Sequence, residues 1–245
     1  MIQDKAKVVI IGGGVIGCSV AYHLSKLGWN DIVLLERKQL TSGTTWHAAG
    51  LIGQLRASAN MTKLAKYTQE LYFDLEKETG VSTGFKRVGS ISVALTNERM
   101  EELKRSAAMA RAFGVDVEEI SPHEIQNRYP HINLESVVGG VFLGKDGQGD
   151  PANIALALAK GARQLGAKIH ERVTITKVFK NQNKVSGVEW TDQHGERGHI
   201  ACEEIVNCAG MWGHSVGKML GTNIPLHACE PVSYTHLTLP TNREV

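Results

Sequence analysis

The sequence is poor in cysteine, and it has no long apolar run. Its four cysteines among 245 residues are too few and too irregularly spaced for a disulfide scaffold or a cysteine metal site. We therefore expect a reducing compartment, namely the cytoplasm, or the mitochondrial matrix if the source is eukaryotic. No stretch reaches the roughly 20 apolar residues of a membrane span, so a membrane protein is not expected. Because only six residues precede the first predicted strand, neither a signal peptide nor a transit peptide is expected.

An excess of charge of either sign is also lacking. Lys and Arg number 27 against 25 Asp and Glu, which leaves a net charge of +2. A nucleic-acid partner would need a larger basic excess or a basic block, so we expect none. The apolar fraction of 42% and the charged fraction of 21% are typical of a globular protein with one large or two small domains.

The first 36 residues predict a β-α-β unit. Residues 7–11 form an apolar run typical of a buried parallel strand, and residues 32–36 form a second one. Between them, residues 15–27 carry the apolar spacing of a helix that ends at Gly28. Such a unit is the usual beginning of a nucleotide-binding domain.

The rest of the chain predicts a mixture of helices and strands. Ser121 and Asp150 are suited to cap the starts of two of the helices. The order of elements, with a late strand that runs into glycine, indicates a nucleotide-binding domain interrupted by an insertion. The predicted helices cover residues 61–78, 98–113 and 151–165, and the predicted strands cover residues 88–95, 139–143, 173–179, 184–190, 197–201 and 205–210.

The turn after the first strand fits the pattern G-x-G-x-x-G. Gly12 allows the tight turn, Gly14 lets a pyrophosphate approach the backbone, and Gly17 permits close packing of helix against strand. Glu36 ends the second strand, where an acid is expected to hold ribose hydroxyls. This carboxylate would repel a ribose 2′-phosphate, which argues against NADP despite Arg37 beside it. These residues alone leave both NAD and FAD open.

Three further features are candidates for chemistry. Residues 43–50 place Trp46 and His47 among small side chains, which would let a flat ring lie close to the backbone. Residues 205–213 form a strand ending in glycine, either a buried strand or a second approach of backbone to the dinucleotide. Asp146 and Asp150 resemble a paired-carboxylate site, although a turn and a helix cap explain them at least as well.

Together these motifs resemble the FAD-dependent amine oxidoreductases of the D-amino-acid-oxidase superfamily, and within it the sarcosine and dimethylglycine dehydrogenases. The glycine motif is shared by many flavoproteins, whereas the segment T-T-W-H-A-A-G is much more specific. The resemblance covers about residues 5–230. The segments that carry it are residues 10–28, 33–56, 146–151 and 205–219.

The resemblance implies an α/β fold. It consists of a Rossmann-like FAD-binding domain that is interrupted by an inserted α+β substrate domain, and the fold is truncated in this sequence. Residues 1–84 and 150–222 would form the discontinuous FAD-binding domain, and residues 85–149 the first segment of the substrate domain. Residues 223–230 would begin the return to that domain. Residues 231–245 depart from the family pattern and look like translated adapter sequence, so we expect them not to be native.

The resemblance also implies a cofactor site. In this family the histidine of the T-T-W-H-A-A-G segment is bonded covalently to the 8α-methyl group of FAD, and His47 occupies that position. No catalytic base and no metal ligand are predicted. The residues expected to contact FAD are Gly12, Gly14, Val15, Ile16, Gly17, Glu36, Arg37, Gly43, Thr44, Thr45, Trp46, His47, Ala48, Ala49, Gly50, Leu51, Val173 and Trp212.

The implied reaction is oxidation of the N-methyl group of a glycine derivative by hydride transfer to the flavin. The resulting iminium would hydrolyse to formaldehyde or pass to tetrahydrofolate, and electrons would leave to oxygen or to an electron-transfer flavoprotein. One alternative is a non-catalytic protein, because the regulatory subunit of pyruvate dehydrogenase phosphatase resembles the same family. Another is an NAD-binding dehydrogenase. The retained Trp46-His47 pair favours the flavin enzyme.

Overall fold

The computed structural model describes residues 2–182 and 184–229, which form an α/β fold with three sheets. We number the strands and helices in chain order. They are β1 (Lys5–Ile11), α1 (Val15–Lys26), β2 (Ile32–Glu36), β3 (Leu51–Ile52), α2 (Ala59–Thr79), β4 (Ser90–Ala94), α3 (Asn97–Ala112), β5 (Glu118–Ile120), α4 (Pro122–Arg128), β6 (Gly139–Leu143), β7 (Gly147–Gln148), α5 (Pro151–Gln164), β8 (Lys168–Glu171), β9 (Val173–Asn181), β10 (Lys184–Asp192), β11 (Arg197–Asn207) and α6 (Gly213–Met219).

The main sheet has six strands in the order β8-β2-β1-β11-β10-β9. The predicted β-α-β unit is confirmed, with β1 parallel to β2 and to the second half of β11. Val8, Val9 and Ile10 of β1 are all buried. Strands buried on both faces read as continuous apolar runs, which explains why β1 and β2 are evident in the sequence.

One face of the main sheet is covered by α1, α2 and α5. Their apolar side chains form a core with Val8 and Ile10 of β1. The helices α1 and α5 approach closely at Gly161, where an added Cβ atom would lie 2.8 Å from ring carbons of Tyr22. The other face carries a second core, in which Val9 and Val33 pack with Trp190 and other residues of the β9–β10 hairpin.

The prediction of two separate strands over residues 197–201 and 205–210 is wrong. A single strand, β11, runs through both, and it changes its partner along its length. Ala201 still pairs with β10 in antiparallel fashion, and from there to Asn207 the strand pairs with β1 in parallel fashion. The exposed Glu203 and Glu204 resemble a turn in the sequence, yet the backbone hydrogen bonds continue through them.

The chain between α2 and α5 builds a small sheet of its own, in the order β4-β6-β5. Leu103 and Ala107 of α3 pack on one side of it, and Ile125 of α4 packs on the other. The predicted cap of α4 is confirmed, because Ser121 and Glu124 form a reciprocal capping box. The sequence patterns did not predict four strands, namely the two-residue strands β3 and β7, the strand β5 and the edge strand β8.

A two-stranded ribbon of β3 and β7 lies next to this sheet, and Lys86 also forms a bridge with Gln148 of β7. The predicted domain limits at 84/85, 149/150 and 222/223 stay predictions. The expected non-native tail, residues 231–245, lies outside the described residues. In the part of the chain that the structure describes, no helix is both long and apolar enough to cross a membrane.

Candidate dinucleotide-binding site

The glycine turn between β1 and α1 brings three backbone segments unusually close together. Gly12 has a φ of +109°, and an added Cβ atom there would lie 2.4 Å from the carbonyl oxygen of Cys208. An added Cβ atom at Gly17 would lie 1.9 Å from the carbonyl oxygen of Gly12. Both positions therefore require glycine, the first for the turn and the second for close packing of helix on strand, as the sequence predicts.

The N-terminus of α1 opens toward the same turn. Its first residue, Val15, donates its backbone N–H to Thr45 Oγ1 at 3.0 Å. The capping position is Gly14, which supplies no side-chain cap. Within the described residues the N–H groups of Gly14 and Ile16 have no acceptor. Such N–H groups, together with the partial positive charge of the helix end, suit an anionic group of a ligand.

Glu36 stands at the carboxyl end of β2 and faces the glycine turn. Its Oε2 accepts a hydrogen bond from the N–H of Gly13 at 2.7 Å, and its Oε1 accepts one from the N–H of Lys38 at 2.8 Å. These two bonds fix the carboxylate beside the turn. Each ionised carboxylate oxygen has a second lone pair, so Glu36 can still accept hydrogen bonds from ribose hydroxyls.

Arg37 and Trp212 meet across the same region. The guanidinium carbon of Arg37 lies 3.9 Å from the centre of the Trp212 ring. The backbone of Gly43 also approaches Trp212, since an added Cβ atom there would be 3.6 Å from the ring. The stack therefore joins residues that follow β2 with residues that follow β11.

A cleft of about 310 Å³ lies between these groups, at the carboxyl ends of β1, β2 and β11. Ligands of open α/β sheets bind at this end of the strands. Nine of the predicted contact residues line it, namely Gly12, Gly14, Glu36, Arg37, Gly43, Thr44, Thr45, Val173 and Trp212.

The other nine predicted residues do not line the cleft. Gly17 is used in packing, and Val15 joins α1 to Thr45. Ile16 is 65% exposed, Trp46 58% and Leu51 79%, so large apolar groups stand in solvent beside the cleft. The residues outside it are Val15, Ile16, Gly17, Trp46, His47, Ala48, Ala49, Gly50 and Leu51.

His47 sits at the end of a single 3-10 turn formed by residues 45–47. Its imidazole lies against the neighbouring Trp46 in a tilted arrangement, with ring centres 3.8 Å apart and an angle of 37° between the planes. Both side chains are exposed. The chain lines the cleft as far as Thr45, so His47 follows the lining by two residues and its side chain is accessible to solvent.

Several residues that line the cleft were not predicted from the sequence. The glycine-ended strand pattern did point to the end of β11, and Cys208, Ala209 and Gly210 indeed line the cleft. The helix α6 follows β11 just as α1 follows β1. This repeated order of strand and helix is the one signal that could have indicated the cleft residues of α6. The further lining residues are Ile11, Leu35, Lys38, Ser42, Thr174, Ile175, Ser215, Val216 and Met219.

The two aspartates of the D-G-Q-G-D turn do not form a paired acid–base site. Asp150 caps α5 by accepting hydrogen bonds from the N–H groups of Ala152 and Asn153. Asp146 is buried and accepts hydrogen bonds from the N–H of Gln54 and the hydroxyl of Ser90. Both carboxylates therefore hold the fold, as the alternative interpretation of the sequence expects.

A larger groove, of about 1100 Å³, opens at the opposite end of the sheet. It is lined by charges of both signs, including Lys5, Lys184, Asp31 and Glu204. It lies at the amino end of β1, away from the strand ends where ligands of α/β sheets bind. The smaller cleft is therefore the better candidate for the dinucleotide.

Comparison with known proteins gives a family match over most of the chain. A family model described as DAO, FAD dependent oxidoreductase, matches residues 7–245. Among solved structures, the crystal structure of L-proline dehydrogenase from P. horikoshii has a TM-score of 0.82 and 26% sequence identity. That comparison covers 90% of this chain and 57% of the other. The predicted α/β fold of the FAD-binding type is confirmed by these matches.

Curated relatives are more similar in sequence. The mitochondrial regulatory subunit of pyruvate dehydrogenase phosphatase from Mus musculus is 43% identical over 228 residues, which is 92% of this chain and 25% of the relative. Human mitochondrial sarcosine dehydrogenase is 41% identical over 93% of this chain and 25% of its own length. Human mitochondrial dimethylglycine dehydrogenase is 39% identical over 99% of this chain and 27% of its own length. The chain thus spans about a quarter of the length of these relatives.

Proposed function

The chain belongs to the family of FAD-dependent oxidoreductases, and we propose that it forms the cofactor-binding part of an enzyme that oxidises the N-methyl group of a glycine derivative. The observation that carries this proposal is His47, exposed two residues beyond the cleft-lining Thr45, in a segment resembling that of sarcosine and dimethylglycine dehydrogenases. The substrate would be an N-methyl amine such as sarcosine or dimethylglycine.

The described residues fit the adenosine end of FAD. Gly12 and Gly14 line the cleft, and because neither carries a side chain, a ligand can approach their backbone. The N–H groups at the start of α1 would bind the pyrophosphate, and Glu36 would bind the ribose hydroxyls. The fixed orientation of Glu36, held by two backbone N–H groups, means that little ordering is required on binding.

We propose that His47 holds the flavin through a covalent bond from an imidazole nitrogen to the 8α-carbon. A neutral imidazole nitrogen is a nucleophile, and it must be held within bonding distance of that carbon. Formation of this bond would break the N–H bond of the imidazole and one C–H bond of the 8α-methyl group. The two protons would go to solvent, and the two electrons would go to the acceptor that also takes the electrons from the substrate. An imidazolyl substituent withdraws electron density and would make the flavin a stronger oxidant.

When FAD is bound, it supplies the acceptor for a hydride from the N-methyl carbon of the substrate. The protein contributes the binding and orientation of both molecules. The exposed apolar side chains of Ile16, Trp46 and Leu51 would be covered by the flavin and by the part of the protein that holds the substrate. Tetrahydrofolate as one-carbon acceptor and an electron-transfer flavoprotein as electron acceptor are part of the same proposal.

A second candidate is a regulatory protein without flavin chemistry. It is favoured by the 43% identity to the phosphatase regulatory subunit. That function would not require an exposed imidazole next to the cleft-lining segment, so the Trp46-His47 pair favours the enzyme.

The two candidates differ in turnover. The full-length protein encoded by the gene should be assayed with sarcosine and with dimethylglycine, using an artificial electron-accepting dye and measuring formaldehyde. We expect formaldehyde to appear with one or both amines as the dye is reduced. A protein that binds FAD but shows neither turnover nor bleaching of the flavin absorbance with either amine would support the regulatory candidate.

A further inference from the structure

The segment of residues 146–150 runs as a central strand between two other stretches of the chain. On one side β7 pairs with β3, so that Gln148 lies opposite Leu51 and Gly147 opposite Ile52. On the other side Gln148 exchanges two backbone hydrogen bonds with Lys86, of 2.8 and 3.0 Å. The two-stranded ribbon and its bridge to Lys86 thus connect the segment that follows His47 with the chain that enters β4.

His47 is held between two anchors close to it in the chain. Two residues before it, the buried Thr45 accepts the N–H of Val15 at 3.0 Å. Three residues after it, Gly50 accepts the N–H of Gly149 at 2.9 Å. The first anchor belongs to the helix that starts at the cleft, and the second belongs to the ribbon. The position of His47 relative to the cleft is therefore set jointly by α1 and by the ribbon.

Asp146 fixes the alignment of the ribbon at its other end. Its Oδ1 accepts the N–H of Gln54 at 2.9 Å, and its Oδ2 accepts the hydroxyl of Ser90 at 2.7 Å. An added Cβ atom on Gly53 would lie 3.2 Å from Oδ2, which shows how closely the strands meet there. A shift of one residue in a strand pair reverses every side chain, so a bond of this kind matters most in a ribbon this short.

Asp146 is buried, with only 7% of the residue exposed. Across the described ranges it forms no ion pair with a lysine, arginine or histidine within 4 Å. Its stabilisation therefore comes from the two hydrogen bonds to Gln54 and Ser90. A buried acceptor of this kind leaves two donors unsatisfied if it is removed, which would loosen both stretches at once.

We propose that Asp146 is a positioning residue for His47. Through Gln54 it sets the alignment of β3 on β7, and through Ser90 it ties that alignment to the sheet β4-β6-β5, so that His47 is held at the distance that attachment of the flavin requires. This inference rests on the proposed covalent attachment through His47. It assigns to the D-G-Q-G-D segment a role in preparing the cofactor in addition to its role in the turn.

The test compares variants of the full-length protein. D146A removes both hydrogen bonds, whereas D146N keeps an oxygen for Gln54 and gains an N–H that can donate to the Ser90 hydroxyl. T96A removes the cap of α3, away from the ribbon, and serves as a matched destabilising control. The measurements are the rate at which FAD becomes resistant to acid release, the affinity for FAD before attachment, and amide hydrogen exchange over residues 44–54.

In D146A we expect attachment to slow by about 10- to 100-fold, since a misplacement of about 1 Å has effects of that size on reaction rates. Affinity for FAD should stay close to that of the wild type, because the cleft residues are unchanged. Exchange over residues 44–54 should become faster. D146N should recover most of the attachment rate, and T96A should attach FAD normally despite a lower Tm.

Three results would overturn the role of Asp146. The first is that D146A attaches FAD at the wild-type rate. The second is that D146A loses attachment rate and FAD affinity in equal proportion, and the third is that D146N attaches FAD as slowly as D146A. If the wild type itself carries no covalent FAD, the proposed attachment fails. In that case the positioning role of Asp146 is tested by hydrogen exchange alone. If exchange over residues 44–54 is unchanged in D146A, the positioning role is rejected as well. Should D146A not fold, S90A removes one of the two bonds and is tested in the same way.

Discussion

Arg37 and Trp212 form a stack that joins two strand ends, with the guanidinium carbon 3.9 Å from the centre of the indole ring system. Arg37 follows directly on β2, and Trp212 lies five residues beyond the end of β11. Both line the cleft beside Glu36. A planar cation on an aromatic face is attractive and keeps both groups ordered, so the stack forms one wall of the cofactor site.

Replacing Trp212 with leucine should weaken FAD binding by roughly 2- to 5-fold, because a partly exposed cation–π contact contributes about 0.5–1 kcal/mol. The full-length apoprotein can be titrated with FAD and followed by quenching of flavin fluorescence. Phe73 carries a similar contact with Arg87, at 4.1 Å, away from the cleft. F73L is therefore the control, and an equal loss of affinity in both variants would show that the Trp212 stack has no special role.

Replacing Gly17 with alanine should disrupt the glycine turn, because the new Cβ atom would lie 1.9 Å from the carbonyl oxygen of Gly12. Relieving such an overlap costs about 1–3 kcal/mol or more of stability. The turn must move as a result, and FAD binding should be lost. Thermal unfolding with and without FAD measures both effects.

The matched control for that variant is Gly28, which has a φ of +84° and open space around it. Asparagine tolerates such a conformation, so G28N should lower Tm slightly and keep the rise in Tm that FAD causes. If G17A keeps that rise too, the glycine turn does not hold the cofactor.

Replacing Glu36 with glutamine should lower the affinity for FAD by about tenfold. Hydrogen bonds to a charged group contribute roughly 1.5–3 kcal/mol, against about 0.5–1.5 kcal/mol for neutral pairs. Glu171, whose Oε2 accepts the N–H of Leu40 at 2.9 Å, lies outside the cleft, and E171Q is the control. Isothermal titration of both variants with FAD checks this prediction, and equal affinities would remove Glu36 from the site.

The cysteine thiols should differ widely in reactivity. Burial raises the pKa of Cys18 to about 12 and that of Cys202 to about 11. The thiolate is the reactive form, so at pH 8 both thiols are protonated and should resist alkylation until the protein unfolds. Cys229 is exposed and should react first. Peptide mass analysis after timed alkylation with iodoacetamide measures all four thiols.

Cys208 gives this experiment a functional readout. It lines the cleft, and burial raises the pKa of its thiol. Added FAD should slow its alkylation further and leave the rate at Cys229 unchanged. Alkylation of Cys208 at the same rate with and without FAD would place the cofactor elsewhere.

The sequence predicts the elements whose signal is local. The strands β1 and β2 are continuous apolar runs, and the helices α4 and α5 begin at capping residues, Ser121 and Asp150. The glycine motif is equally local, since its spacing follows from a turn within six residues. These features, together with Glu36, were sufficient to predict one side of the cleft.

The elements that the sequence did not predict depend on contacts between distant parts of the chain. The strand β11 changes partners at Ala201, and no local pattern distinguishes that change from a turn. The edge strand β8 is only four residues long and is exposed at both ends, so it lacks the continuous apolar run that marks β1 and β2. Ser215, Val216 and Met219 reach the cleft only because α6 folds back over the strand ends.

The central claim, that His47 holds FAD through a covalent bond, is tested most directly by mass spectrometry. The full-length wild type and H47A are precipitated with acid, washed free of unbound flavin, and digested. We predict that the wild-type peptide containing His47 carries the added mass of FAD. H47A should release all of its FAD into the acid supernatant. A wild-type His47 peptide without that added mass, from a protein that binds FAD before precipitation, would contradict the claim.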